Sequence, residues 1–329
     1  MSKYSRSLAS IAMIVLILAM AAPSFSAAKY NWKLASVLPD THPVHKALVF
    51  FADKVAEKTH GAVKITVYPA GQLGQEQDYI QGAKLGAIEL TKVSAAPLGQ
   101  FSNSMQVVSL PFIWRDAKHQ HKVLDGKIGK RLFTDLEPQG FVGLAYFDAG
   151  FRSMSTREKP VNVPADLKGL KIRVMQSKPL VDTINAFGAT AVPMGQGDVY
   201  VALQQKVIDG WENNEPTVLT YNMFEVCKYF SYTRHSSIPD VLIMSKMVYD
   251  SVPKDIQKAL KAAAVETTTY QRKIWADMED STVKQLKDKG MIFNEVKRLK
   301  DFQAVAAPVY KSYEATIGAD LIQQIIKTK

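Results

Sequence analysis

Gly169-Leu-Lys-Ile-Arg-Val174 alternates apolar Leu170, Ile172 and Val174 with Lys171 and Arg173, the period-two pattern of a strand with one face packed into a core. Arg173 therefore stands on the other face, near the strand's carboxyl end. A guanidinium there suits a carboxylate, because its planar fork donates two parallel hydrogen bonds and keeps its charge at any working pH. Ser177 and Pro179 then open a helix carrying Leu180, Ile184 and Phe187, which Gly188 stops. Val192-Pro-Met194 reads as a short strand and Val199 to Lys206 as a helix ending near Gly210. The turn Asp209-Gly-Trp-Glu-Asn-Asn214 follows.

The same alternation precedes this stretch. Trp32 to Val37 reads as a strand, Val44, Leu48, Phe51 and Val55 share one face of a helix, and Val63-Lys-Ile-Thr-Val-Tyr68 is a second strand. A helix from Glu76 to Leu85 and a strand from Ile88 to Ser94 come next, and the pattern restarts after Gly140 with a strand from Val142 to Phe147. Strands alternating with helices predict an α/β fold with largely parallel sheet, and two such units predict two lobes with a cleft between them. Ligands of such sheets bind outside the carboxyl ends of the strands. Pro253 to Gly290 holds no internal glycine or proline and predicts a helix on the order of 50 Å long at 1.5 Å per residue, able to lie across both lobes. With no repeat and no low-complexity tether, several short crossings join the lobes. The expected division is 29–149 plus 239–278 for one lobe and 150–238 plus 279–329 for the other.

Residues 1–28 read as an export signal, with Lys3 and Arg6 ahead of the apolar stretch Leu8 to Ala22 and small residues around Ser26 and Ala28. The apolar stretch is short of the roughly 20 residues that span a bilayer, so cleavage is expected after Ser26 or Ala28. The expected location is the periplasm. Cys227 is the single cysteine; it cannot form an internal disulfide, and its neighbours Phe224, Val226, Tyr229 and Phe230 mark it as a small buried hydrophobe. The net charge of +10 is spread along helices in which lysines alternate with acids, as in Lys254-Asp-Ile-Gln-Lys258. That is a solvated face, not a nucleic-acid patch.

Catalytic signatures are missing from the sequence. There is no Gly-x-Ser-x-Gly, His-Glu-x-x-His or phosphate-loop motif, and Gly195-Gln-Gly197 lacks the third glycine of a dinucleotide fingerprint. His42 and His45 can share a helix edge and His119 and His121 a strand face, but neither pair has the third ligand of a metal site. Surface or capping roles are expected for them, and no cofactor is expected.

The chain resembles the solute-binding proteins of tripartite ATP-independent periplasmic (TRAP) transporters over essentially its whole mature length. The matching stretches are Tyr68-Pro-Ala-Gly-Gln-Leu-Gly74, Ser109-Leu-Pro-Phe112, Gly150-Phe-Arg-Ser153, Leu167 to Val174, Gly188 to Met194, and Val199 to Gln204 running into Asp209 to Asn213. The resemblance implies that Arg173 clamps a ligand carboxylate, that Arg152 and Asn213 are further ligand residues, that Gln176 stands near the clamp, and that Glu76 lies on the opposite wall. Trp211 and Asn214 join the candidate set, Trp211 as a wall that a sugar ring can stack on. Ser94 and Pro97 stand where the sialic-acid-binding branch carries a glutamate and an arginine, which disfavours sialic acid. Sugar acids such as uronates or aldonates are the expected ligands, with C4-dicarboxylates, 2-oxo acids and aromatic acids as alternatives. Membrane permease subunits are the implied partners of a monomeric binding protein. A secreted enzyme acting on such acids is the competing reading from another class.

Overall fold

The computed structural model describes residues 28–329. Apart from Ala28, the expected export signal lies outside the described residues. The architecture is two α/β sheets with helices packed on them. The first sheet contains β1 (Tyr30–Ala35), β2 (Val63–Tyr68), β3 (Leu90–Ser94), β4 (Phe141–Phe147) and β10 (Asp240–Ser245), in the order β2-β1-β3-β10-β4. The second contains β5 (Arg152–Thr156), β6 (Lys171–Val174), β7 (Thr190–Pro193), β8 (Gly210–Asn213), β9 (Tyr229–Ser236) and β11 (Ile292–Glu295), in the order β11-β9-β5-β8-β6-β7.

Both sheets are mixed, where the alternation of strands and helices predicts largely parallel ones. In the first sheet β10 runs antiparallel to β3 and β4, and in the second β5 runs antiparallel to β8 and β9. The cause is connectivity. β5 and β10 are each the first strand after the chain crosses from one sheet to the other, so each begins at the cleft and runs away from it. Their neighbours run toward it. Sequence periodicity carries no record of strand direction, and β5, β9 and β10 are also buried along most of their length, which hides the alternation that marks a half-exposed strand.

Asp209–Asn214 is the other correction. Its core forms strand β8, buried at every position and hydrogen-bonded between β5 and β6, whereas glycine and paired asparagines read as a turn. Gly210 is needed for packing, because a Cβ there would stand 2.6 Å from the Ser155 carbonyl oxygen of β5. His119 and His121 lie on the helix Ala117–Leu124, not on a strand. His42 caps a helix as expected, accepting from the Val44 N–H, but His42 and His119 are buried, so neither is a surface histidine.

The long helix runs from Lys254 to Asp288, 35 residues. Its first half packs on the first lobe through Ile256, Leu260, Ala263 and Ala264, and Leu286 near its end belongs to the core of the second. At mid-length the Gln271 side-chain amide holds both the N–H and the C=O of Asp148, each at 2.9 Å, where the chain leaves β4. Two crossings lie side by side there, and the Ser237 hydroxyl donates to the Gly150 carbonyl at 2.9 Å. Gly150 has φ of +61°, and a Cβ would meet the Glu279 carboxylate at 2.8 Å and the Trp275 ring at 3.2 Å. The left-handed backbone and the close approach of the helix both require glycine.

Cys227 is fully buried beside Trp211 and Phe230, and burial pushes its thiol up to about 12. A thiol reagent at neutral pH is expected to leave the native protein unmodified and to label one site once the chain is unfolded. Fast labelling of the native protein would show that this part of the core opens.

Candidate functional site

A narrow cleft of about 50 Å³, lined by residues of both units, lies between the sheets. Its lining follows from strand direction. β3 delivers Lys92 and Ser94 at its carboxyl end, β6 delivers Arg173, and β8 delivers Asn213, while the reversed strands deliver their first residues, Arg152 and Asp240. Glu76 enters as the first residue of the helix Glu76–Lys84, His42 as the cap of the helix Pro43–Lys58, and Trp275 from the long helix.

The two arginines differ in what they already hold. Arg152 is committed: Nε and Nη2 donate to the two carboxylate oxygens of Glu212 at 2.5 and 2.8 Å, Nη2 also to the Glu212 carbonyl at 2.6 Å, and Nη1 to Asn213 Oδ1 at 2.9 Å. Glu212 is fully buried. Burial works to raise its carboxyl, but Arg152 and His235 outweigh it and hold the group down at about 2.

Arg173 is 2% exposed and bonds only uncharged oxygens. Nε and Nη2 donate to the Met194 carbonyl at 3.0 and 2.7 Å, and Nη1 to Gln196 Oε1 at 3.2 Å. A guanidinium has five N–H donors. Three are spent, one on each nitrogen, which leaves one donor on each terminal nitrogen for a further acceptor. Burial and the neighbouring Arg152 charge lower its pKa to about 10, with Glu212 and Glu76 opposing. Arg173 nonetheless stays cationic at neutral pH.

The facing wall carries the opposite balance. Lys92, almost fully buried, sits 3.1 Å from Asp240 and 3.9 Å from Glu76, whose Oε1 also accepts the Ser94 N–H at 2.8 Å. Burial raises both carboxyls, while Lys92 pulls each of them back. His42 lies beside this group. Its Nδ1 accepts from the Val44 N–H, so the ring proton is on Nε2, which donates to the Thr217 hydroxyl at 3.4 Å. Burial, with Lys92 next, lowers its basicity well below the usual histidine value, and it remains a neutral donor.

Of the residues read from the sequence, the structure brings Arg173, Arg152, Asn213, Asn214 and Glu76 to the cleft. Asn213 Oδ1 is filled by Arg152, the Asn214 N–H and Asn214 Nδ2, so its own amide nitrogen is the end left for a ligand. Both polar ends of Asn214 are held by backbone, at Ala149 O and Thr217 N, as the cap of the helix Glu215–Thr220. Trp211 is not a wall. It stands two residues before Asn213 on the same face of β8, further from the strand's cleft end, and is fully buried with Val199, Leu203 and Phe230. The Gln176 side chain is also outside: the chain turns at Met175, which lines the cleft, and sends Gln176 to the surface, where its carbonyl accepts from Gln100. Lys92, Asp240, Gln196, His42 and Trp275 were not read from the sequence. A lysine inside the otherwise uncharged strand Leu90-Thr-Lys-Val-Ser94 is the one signal that marks such a position.

Comparison with known proteins identifies the family. Residues 34–316 match the family described as bacterial extracellular solute-binding protein, family 7. The chain belongs to this family. It is a solute-binding protein and not an enzyme. Among similar solved structures is a TRAP periplasmic solute-binding protein from Sulfitobacter sp. NAS-14.1 with bound β-D-galacturonate, at TM-score 0.88 and 36% identity, covering 90% of this chain and 99% of that one. Another, from Roseobacter denitrificans with bound β-D-glucuronate, has TM-score 0.89 and 34% identity and covers 91% of this chain and all of that one. The C4-dicarboxylate-binding periplasmic protein DctP of Rhodobacter capsulatus is 34% identical over 293 residues, 88% of this chain and 87% of its own length. Among the described residues, no helix is long and apolar enough to cross a membrane.

The Arg152–Glu212 pair yields a stability prediction. Glu212→Gln leaves a buried arginine unpaired and is expected to cost about 3–5 kcal/mol in urea unfolding near neutral pH. Because the folded carboxyl lies below its unfolded value, its contribution is complete above the ordinary glutamate range and is lost as pH falls toward about 2. The gap between wild type and variant should therefore narrow below about pH 4. A gap that stays constant from neutral to acid pH would contradict the pairing.

Proposed function

We propose that this protein is the periplasmic solute-binding component of a TRAP secondary transporter, that it captures a hydroxylated monocarboxylic acid between its lobes, and that it delivers this acid to membrane permease subunits. The substrate class is the sugar acids, with hexuronates first. The observation that carries the reading is Arg173: a buried cation lining the cleft, bonded only to neutral oxygens, with one uncommitted N–H on each terminal nitrogen. Arg173 clamps the ligand carboxylate. Arg152, its fork filled by Glu212, keeps one N–H on Nη1 and acts with the Asn213 amide on neighbouring oxygens.

The opposite wall favours polyols over dicarboxylates. Glu76 and Asp240 are acceptors that suit hydroxyl donors, and the single Lys92 is already shared between them. A second ligand carboxylate placed there meets two like charges for one opposite charge, while ring hydroxyls find acceptors. The relatives with bound galacturonate and glucuronate support the same class. Export through the segment 1–28 and a monomeric state complete the proposal.

Calorimetric titration tests it. D-galacturonate or D-glucuronate is expected to bind more tightly than succinate. Arg173→Lys keeps the charge but loses the fork, and should weaken uronate binding by about 2–5 kcal/mol with the fold intact. A folded lysine variant with wild-type affinity would remove Arg173 from the clamp. Asp240→Asn lowers the negative charge of the facing wall, and should shift the ratio of succinate to uronate affinity toward succinate. An unchanged ratio would show that this wall does not read ligand charge.

A further inference from the structure

Gly195-Gln-Gly197, too short for a nucleotide loop, lies beyond β7 where it meets the other lobe. The Gly197 N–H donates to Gln75 Oε1 at 3.2 Å. A Cβ on Gly197 would fall 2.3 Å from Gln75 Nε2, and one on Gly195 would stand 3.3 Å from Gln75 Oε1. Between the two glycines, Gln196 Oε1 accepts from Arg173 Nη1, and Gln196 lines the cleft. On the other lobe Gln75 immediately precedes Glu76. Its own N–H is held by the Asp78 carboxylate at 2.8 Å, which fixes the backbone from which its side chain reaches across.

From this juxtaposition we infer that Gln75 and the Gly195–Gly197 loop form a latch that holds the lobes together over the ligand, and that docking of Gln75 keeps Gln196 aligned on Arg173. This rests on the proposed capture of a sugar acid by Arg173. The loop needs glycine because a neighbouring lobe's side chain lies flat on its backbone. Gly197 carries no left-handed strain, so alanine fits its backbone and acts only by displacing Gln75. Gln75 and Gly197 do not line the cleft, so their effect on binding passes through closure. Gln100 makes a parallel contact at the same rim, donating to the Gln176 carbonyl at 2.8 Å. That carbonyl follows β6, as the Gly195–Gly197 loop follows β7, so lobe 1 glutamines grip two adjacent strand exits.

Stopped-flow kinetics with D-galacturonate on wild type, Gln75→Ala, Gly197→Ala and the double variant tests the latch. Each single variant should speed dissociation by about three- to tenfold, the scale of one hydrogen bond, with little change in association rate. The double variant should be no faster than the worse single one, because both changes remove one contact. Wild-type dissociation in the singles, or multiplying effects in the double, overturns the latch. In that case uronate binding and its loss in Arg173→Lys leave the functional reading standing. If the wild type binds neither D-galacturonate nor D-glucuronate, the functional reading fails instead. The latch is then decided in ligand-free protein by exchange of the Gly197 amide: protection that Gln75→Ala removes supports it, and equal exchange in both proteins overturns it.

Discussion

A guanidinium that is buried and has no carboxylate beside it is the constraint around which this molecule is arranged. Removing a charge from water is costly unless the charge is bonded and paired. Arg173 meets the first requirement with the Met194 carbonyl and the Gln196 amide, and leaves the second open toward the cleft. Arg152, a short way off, solves the same problem internally through Glu212. The first arginine is left without a charged partner and the second is internally paired. Arg152 also disfavours the charged form of Arg173, and Glu212 opposes that effect.

Strand direction makes that placement possible. In a sheet of parallel strands, only carboxyl ends face the ligand. Here one strand in each sheet is reversed because the chain enters it from the other lobe, so Arg152 and Asp240 come to the cleft from amino ends, between neighbours arriving from the opposite direction. The same crossings lie beside the site. Gln271 of the long helix holds Asp148, and Trp275, one turn further along, lines the cleft. A ligand in the cleft thus touches the helix that spans both lobes.

Much of this was legible in the sequence where burial is one-sided. Lys171 is exposed and Ile172 and Val174 are buried, so β6 announced itself by alternation, and β2 did so too. β5 and β10, buried along their whole length, show nothing that alternates and were lost to inspection. Arg173 and Glu76 were visible because their motifs are local. Trp211 was misplaced because strand position, not residue type, decides whether an aromatic is wall or core. Lys92 and Asp240 are distant in sequence and meet only because β10 is inserted next to β3. No reading of either segment alone reveals a pair made by topology.

The charges sort by lobe. Lobe 2 offers two arginines against Glu212, and lobe 1 offers Glu76 and Asp240 against Lys92. On the proposed sugar-acid reading, a ligand with its charge at one end and its hydroxyls at the other fits this polarity in one orientation only. His42 is placed where it would spoil that sorting if it ionised, next to Lys92 on the lobe that must stay the acceptor. Its capping bond prevents this: a proton on Nδ1 would break the bond from Val44 N–H and add a positive charge in a buried site. The helix cap and the charge pattern of the cleft are therefore maintained by the same nitrogen lone pair, and the site keeps its polarity through the pH range in which an exposed histidine would titrate.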